Sequence, residues 1–177
     1  TLTTPATKYS GVGDYAIEVT LGSNPNYTVT ATNGKLTVNP KAATVAAEAK
    51  SKIYGDDNPT LTAVVTGQVS GGDAINYTLA TTAVKLSGVG DYPITVTLGD
   101  NPNYTVTKTD STLTITPKAA TVVADAKSKT YGDENPTLTA LVTGQVSGGD
   151  VINYTLATTA EQFSNVGGYP IVVTLGD

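Results

Sequence analysis

The chain repeats itself at an interval of 77 residues, and this repetition restricts the fold more than any other feature of the sequence. Residues 40–100 and 117–177 are identical at 49 of 61 positions and differ at 12. Residues 1–39 match the second half of the same unit. Near-identical copies are a poor basis for a single active site. We therefore expect a repeat architecture whose role depends on length, multivalency or assembly into a fibre.

Pro40 and Pro117 divide the chain into three parts. Residues 1–39, the N-terminal segment, are the C-terminal half of a repeat module. Residues 40–116, the middle module, are complete, and residues 117–177, the last module, lack the final hairpin segment. No Gly/Ser-rich linker separates the parts, and a proline holds itself and its preceding residue in extended geometry. We expect stiff joints and modules arranged end to end as a rod.

Alternation of apolar and polar residues is the main signal inside each repeat. Tyr92, Ile94, Val96 and Leu98 fall on one face of an extended segment, and the pattern recurs in the other two parts. A period of two predicts a half-buried strand, whereas no segment keeps a helical period. Six or seven short strands per repeat predict an all-β fold of tandem immunoglobulin-like antiparallel β-sandwiches. Small β-grasp-like modules are the alternative.

Turn residues near the end of each repeat predict a terminal hairpin. Asn33-Gly34 separates two strand-like runs in the N-terminal segment, and both residue types tolerate a positive φ. Asp110-Ser111 occupies the same place in the middle module and favours a turn less strongly.

A tyrosine at the start of the alternating strand is a second structural marker. In Gly90-Asp91-Tyr92 the glycine precedes the tyrosine by two residues, which resembles the tyrosine corner of immunoglobulin-like folds. Tyr15 and Tyr169 hold the equivalent positions. The alternative, a core tyrosine at the start of a strand, stays open.

Five short motifs recur in a fixed order within the repeat. They are Tyr54-Gly55-Asp56 (again at Tyr131-Gly132-Asp133), the loop from Thr66 to Asp73, Val89 to Tyr92, Asn103 to Thr105, and Leu113 to Pro117. This order resembles the MBG domain of the YGX type, and the resemblance covers essentially the whole chain. One departure is Gly168, where the other copies carry Asp. The resemblance implies a β-rich tandem repeat of large secreted or surface-exposed bacterial proteins, many of them adhesin-like, and it implies no catalytic residues.

The composition argues against several functional classes. The chain has neither His nor Cys, so the usual pairs of nucleophile and base cannot be built, and we expect no enzymatic activity. All ten basic residues are Lys and the net charge is −5, so nucleic acid is not an expected partner. No apolar run approaches the length of a membrane helix. Because Thr1 falls inside a repeat, we expect the chain to be a fragment of an extracellular, cell-surface protein.

Acidic residues beside the Tyr-Gly motif suggest calcium as a candidate ligand, with no other cofactor expected. Oxygen-rich side chains suit a hard cation, although Asp and Asn in such loops are also typical of turns, which is the favoured interpretation. The candidate ligands are Asp56, Asp57, Asp133 and Glu134, which Asp73 and Asp150 could join from another loop.

The triplet Asn-Tyr-Thr is an acceptor pattern for N-glycosylation in a host that has the machinery. It occurs at Asn26, Asn76, Asn103 and Asn153. Half-buried strands also produce such triplets by alternation alone, so both interpretations stay open.

Two functions remain after these exclusions. The first is a structural segment, a stalk or filament-forming module, whose partners are further copies of the repeat joined end to end or by strand addition to an open sheet edge. The second is an adhesin module that binds glycan or host protein through many weak sites.

Overall fold

The computed structural model describes residues 1–176, and its regular elements in that range are all β-strands. The predicted all-β class is therefore confirmed. No helix long and apolar enough to cross a membrane occurs in the described residues. The strands are β1 (Leu2–Thr3), β2 (Gly13–Val19), β3 (Gly34–Val38), β4 (Lys41–Ala47), β5 (Lys50–Ile53), β6 (Ala63–Thr66), β7 (Tyr77–Thr81), β8 (Gly90–Leu98), β9 (Tyr104–Thr109), β10 (Ser111–Thr116), β11 (Thr121–Ala124), β12 (Ala140–Thr143), β13 (Tyr154–Thr158) and β14 (Ile171–Leu175).

The strands form five small sheets. The N-terminal segment contributes the order β1-β2-β3. The middle module contributes two sheets, with orders β6-β4-β9 and β5-β10-β8-β7. The last module contributes the pairs β11-β12 and β13-β14. Repeated sequence therefore yields the full set of strands only in the middle module.

One strand pairing differs from the antiparallel sheets that the spacing predicted. β4 pairs with β6 antiparallel but with β9 parallel, in the register Lys41↔Tyr104 to Ala46↔Thr109, so this sheet is mixed. Asp110 alone separates β9 from β10, and the two strands belong to different sheets. The chain passes from one sheet to the other there, so the predicted terminal hairpin at Asp110-Ser111 is wrong.

The main core lies in the middle module and follows the predicted alternation. Its buried members come from β4, β8, β9 and the loop before β7, and they are Ala43, Val45, Ile75, Val96 and Tyr104. Ile94 and Val96, two residues apart on β8, are both 0% exposed. The hydroxyl of Tyr104 extends beyond this core, donates to the carbonyl oxygen of Asp73 at 2.9 Å, and accepts from the amide of Val69 at 3.1 Å.

The chain divides into two compact units that do not follow the repeat boundaries. The first comprises Thr1–Lys50, Pro59–Ala83 and Asp91–Thr114, and it contains the main core. The second comprises Ser51–Asn58, Val84–Gly90 and the chain from Ile115 onwards, and it contains β11 to β14. The middle module supplies residues to both units.

Candidate functional site

A buried lysine anchors the loop that carries the Tyr-Gly motif. The side chain of Lys52 on β5 is 7% exposed, and its ammonium group donates to the carbonyl oxygens of Asp56 at 3.0 Å, Val84 at 2.7 Å and Lys85 at 3.4 Å. An ammonium group has three N–H donors, so these three acceptors match its capacity. The contact ties the Tyr-Gly loop to the loop after β7.

The same contacts, a lysine ammonium bonded to three carbonyl oxygens, recur in the last module. The ammonium of Lys129 donates to the carbonyl oxygens of Asp133 at 2.9 Å, Glu161 at 2.6 Å and Gln162 at 3.2 Å. Val84 and Lys85 become Glu161 and Gln162 in this copy, but the contacts use only backbone oxygens and are insensitive to that change.

The carboxylates proposed as calcium ligands are not gathered around one point. Within residues 1–176, no group of three or more Asp or Glu side chains is placed to hold a metal ion. Asp57 instead forms an ion pair with Lys85 at 3.2 Å, and the Asp133 carboxylate accepts from the Thr130 amide at 3.4 Å. The Lys52 and Lys129 ammonium groups bind the backbone oxygens of Asp56 and Asp133. Calcium binding through Asp56, Asp57, Asp133 and Glu134 stays a prediction without a supporting contact.

Tyr54 joins the middle module to the last module. Its hydroxyl accepts a hydrogen bond from the amide of Asp150 at 2.9 Å. Gly55 has a φ of +87°, and a Cβ there would lie 2.6 Å from the Cγ2 of Val146. A Cβ on Gly149 would meet the Tyr54 hydroxyl at the same distance. The Tyr-Gly pair therefore fits closely against a Val-Ser-Gly-Gly-Asp turn of the following repeat, and Gly55 is required by that approach.

The N-terminal segment meets the equivalent turn of the middle module through different residues. The amide of Val12 donates to Asn103 Oδ1 at 2.7 Å, and Asn103 Nδ2 donates to the Asp73 carboxylate at 2.5 Å. The Tyr9 hydroxyl donates to the carbonyl oxygen of Ser70 at 3.3 Å. Each joint thus contains a hydrogen bond between a tyrosine hydroxyl and the backbone of the next repeat, and the joint of the N-terminal segment adds a bond from its own backbone to a side chain of the middle module.

The tyrosines at the start of the alternating strand bond back to the preceding loop. Tyr15 donates its hydroxyl proton to the carbonyl oxygen of Gly11 at 2.8 Å, and Tyr169 donates to Asn165 at 3.0 Å. In each case the acceptor lies four residues upstream, a spacing that agrees with a tyrosine corner. Tyr92, in the middle module, is partly buried.

The other predicted structural residues lie at the ends of strands. Gly90 is the first residue of β8 and has a φ of +147°. Pro40 and Pro117 are exposed residues, directly before β4 and directly after β10.

The four Asn-Tyr-Thr triplets lie in different surroundings. Asn26, Asn76 and Asn153 are exposed, whereas Asn103 is only partly exposed: its Oδ1 accepts from the Val12 amide of the N-terminal segment, and its Nδ2 donates to the Asp73 carboxylate. A glycan on Asn103 would replace one of the two hydrogens of the nitrogen that donates to Asp73. Of the other three, Asn76 is also engaged, because its Nδ2 donates to the carbonyl oxygen of Asp100 at 2.9 Å.

Two surface carboxylates act as strong acceptors in the sheets. The amide of Val96 donates to Asp110 at 2.7 Å and, with a smaller effect from Lys108, lowers the pKa of that carboxyl. The hydroxyl of Thr37 on β3 lowers the pKa of Asp14 on β2 in the same way. Both carboxyl groups are therefore ionised at neutral pH, and each accepts a hydrogen bond from a neighbouring strand.

A groove opens in the last module beside the segment that matches β5. It has a volume of about 310 Å³ and lies between residues 127–129 and the start of β14, with Tyr131, Leu138 and Ala160 also lining it. In the middle module the corresponding space lies between β5 and β8, and β10 occupies it.

Sequence reasoning missed Lys52 and the contact made by Tyr54. A lysine in a polar run looks like a surface residue, and only its recurrence at the fixed distance of two residues before Tyr54 and Tyr131 could have singled it out. The partner of Tyr54 is 96 residues away, so no local pattern indicates it.

Comparison with known proteins identifies the repeat. No curated protein and no solved structure matches the chain. A family model does match, over residues 1–37, 43–114 and 120–177, which together cover most of the sequence. The chain therefore belongs to the MBG domain (YGX type) family, as a tandem array of that domain.

Proposed function

We propose that this chain is a non-catalytic structural segment of an extracellular surface protein, in which the repeats serve as a stalk or as the units of a filament. The family, which suggests a repeat module of surface proteins, supports this assignment. The absence of His and Cys from the sequence argues in the same direction, since the usual catalytic nucleophile and base pairs need them.

The observation that carries the proposal is the pair of direct joints between successive repeats. Tyr54 and Gly55 fit onto the turn at residues 146–150, and Val12 bonds to Asn103. Modules that contact each other without an intervening flexible linker have fewer relative orientations open to them than modules joined by one, which suits a spacer. We infer immunoglobulin-like modules in a rod, with further copies as partners, added end to end or by strand complementation.

Small-angle X-ray scattering of the intact chain, combined with a glycan and host-protein array, tests this function. We expect an elongated distance distribution and no reproducible binding to the array. A distribution typical of freely jointed modules would contradict the stalk, and reproducible binding would replace it by the adhesin function.

The adhesin alternative has one supporting observation. Tyr9 is 54% exposed, and the ammonium of Lys8 lies 5.2 Å from its ring centre. An exposed aromatic ring is a common platform for sugars, and weak sites gain avidity when they are repeated. Tyr9→Ala should then abolish any signal on the array, whereas a pure spacer gives no signal to lose.

A further inference from the structure

The outer edge of β7 is a row of backbone groups that no other strand of the described residues covers. β7 ends the sheet order β5-β10-β8-β7, where it pairs antiparallel with β8. The amide of Gly99 donates to the carbonyl oxygen of Asn76 at 3.0 Å, and backbone direction alternates along a strand, so the even-numbered residues of β7 turn their N–H and C=O groups towards β8. The residues whose N–H and C=O groups face the open edge are therefore Tyr77, Leu79 and Thr81.

This edge is open in a module that has neighbours on both sides. The middle module has its full set of strands and contacts the preceding repeat through Asn103 and the following repeat through Tyr54. Neither contact involves β7. The equivalent strand β13 pairs with β14 in the same way, and the amide of Gly176 donates to the carbonyl oxygen of Asn153 at 3.0 Å. The open edge is therefore a property of the repeat.

The edge also lacks the features that usually prevent strands from pairing between molecules, which are lysines, prolines and bulges. Residues 74–84 and 151–160 contain no charged residue and no proline, although the chain has a net charge of −5. The register of β7 with β8 runs from Tyr77↔Leu98 to Thr81↔Ile94 without interruption. The edge strands on the other ends of the two sheets, β5 and β9, each carry lysine, at Lys50 and Lys108.

We propose that β7 pairs antiparallel with the same edge of a second copy of this chain. The pairing joins two four-stranded sheets into one continuous sheet across the two molecules. This inference rests on the proposed function and deepens it, because it names the surface through which neighbouring stalks or filaments associate side by side.

A two-fold axis at Leu79 satisfies every backbone group of the open edge. Leu79 exchanges both of its backbone hydrogen bonds with Leu79 of the second copy, and Tyr77 exchanges both of its own with Thr81 of the second copy. The side chains of Tyr77 and Leu79 are only partly buried in the single chain. The pairing brings the two Leu79 side chains together on the face that carries the core, so it also covers apolar surface.

Repetition of the edge supports a second copy as the partner. Residues 75–83 and 152–160 are identical, although the two modules differ at 12 of 61 positions. β6 is the other uncharged edge, but its sequence differs between the modules at Val64 and Leu141. An edge that is presented once per module allows many weak pairings between two multi-module chains, and these gain avidity without any strong single contact.

Hydrogen exchange of the intact chain at low and at high protein concentration tests the proposal. The amides of Leu79 and Thr81 should exchange more slowly at high concentration, while those of Thr78 and Ala80, which already face β8, should not change. Sedimentation should show the corresponding increase in mass. A chain that stays monomeric at about 1 mM overturns the proposal and leaves the edge to a partner of other sequence. Association that protects other amides but not Leu79 and Thr81 overturns it as well.

A pair of variants tests the backbone contact directly. Thr81→Pro combined with Thr158→Pro removes N–H groups that face only the second copy, and an edge strand tolerates proline at such a position. Association should weaken at least about tenfold, because the bonds that these amides donate are lost from both molecules. Thr81→Ala combined with Thr158→Ala removes only the hydroxyl groups and should leave association unchanged. Equal association of the proline and alanine variants overturns the proposal.

Exchange of the Val96 amide shows whether the core of the proline variant stays folded. If it does not, Ala80→Lys combined with Ala157→Lys replaces that variant, since both alanines are exposed and keep their backbone bonds. The added charges should weaken association, and unchanged association overturns the proposal. An elongated chain that stays monomeric retains the stalk without the lateral contact. A freely jointed chain that protects Leu79 and Thr81 retains the contact without the stalk, so the two proposals fail separately.

Discussion

The three carbonyl contacts of Lys52 predict that this one residue contributes more to stability than any surface lysine of the middle module. Lys52→Met keeps the length of the side chain but leaves the oxygens of Asp56, Val84 and Lys85 without their donor. Losing a charged hydrogen-bond partner in a buried place costs about 2–3 kcal/mol of the free energy of unfolding. Urea denaturation of the intact chain, followed through resonances of the middle module, measures this loss.

The control is Lys85→Met. Lys85 forms an exposed ion pair with Asp57 at 3.2 Å, and such pairs contribute about 0–1 kcal/mol. If the two variants lose equal stability, the carbonyl contacts of Lys52 are not what stabilises the Tyr-Gly loop.

A glycine directly after β6 gives a second prediction for a single residue. Gly67 has a φ of +81°, and a Cβ there would lie 2.5 Å from the carbonyl oxygen of Ala42. Gly67→Ala combines an unfavourable backbone conformation with a clash against main chain, so we expect a loss of about 2 kcal/mol or more in thermal or urea unfolding. Gly88→Ala, whose Cβ would meet nothing within 4 Å, should change stability by less than about 1 kcal/mol. Comparable losses in both variants would contradict this assignment.

Asp110 is the residue at which the chain leaves the sheet of β9 and enters the sheet of β10. The Asp110 carboxylate accepts a hydrogen bond from the amide of Val96 on β8, while the ammonium of Lys108 donates to the carbonyl oxygen of Val96 at 2.6 Å. The bond to Val96 lowers the pKa of Asp110 below its ordinary value of 3.8 in the folded state. The stabilisation that the Asp110 carboxylate gives the fold is therefore fully present above its pKa in the unfolded chain. It is lost as the pH falls through the lower pKa that Asp110 has in the folded state.

Asp110→Asn should remove this part of the acid sensitivity and keep the hydrogen bond. The N-terminal segment already shows the neutral form, because Asn33 accepts the amide of Val19 at 3.1 Å. Unfolding free energies measured from about pH 5 downward should fall less steeply in the variant. The reciprocal change, Asn33→Asp, should add acid sensitivity to β2 and β3. Identical pH profiles for Asp110→Asn and the parent chain would contradict the role of the carboxylate.

Local patterns predicted the individual strands well but not all of their partners. The alternation from Tyr92 to Leu98 correctly predicted β8, because a period of two depends only on which face is buried. The parallel pairing of β4 with β9 was missed, since it depends on a crossover of more than fifty residues that no short window contains. The hairpin at Asp110-Ser111 failed for a related reason: turn residues indicate a change of direction but not the sheet in which the next strand pairs.

Across the whole molecule, repetition provides an internal comparison that a single domain lacks. Tyr131 and Tyr54 occupy the same place in two nearly identical modules, yet Tyr131 is 61% exposed and Tyr54 is partly buried. The Tyr54 hydroxyl meets a following turn, while a Cβ added at Gly132 would meet nothing within 4 Å. The Tyr-Gly pair of the family motif therefore has a role that only appears when another module follows it.

The hydrogen bond between the Asp150 amide and the Tyr54 hydroxyl predicts how the contact between these two modules responds when that hydroxyl is removed. Tyr54→Phe removes the acceptor of the Asp150 amide but keeps the ring, so the turn at residues 146–150 should loosen while both modules stay folded. A neutral hydrogen bond contributes about 1 kcal/mol, which corresponds to roughly fivefold faster exchange of the Asp150 amide. Hydrogen exchange measured by NMR reports this amide directly, and the amide of Val96 in the main core serves as the internal reference. Tyr131→Phe is the matched control and should leave both rates unchanged. Equal exchange of Asp150 in the Tyr54→Phe variant and the parent chain would show that packing of Gly55 against Val146, and not the hydroxyl, fixes the joint.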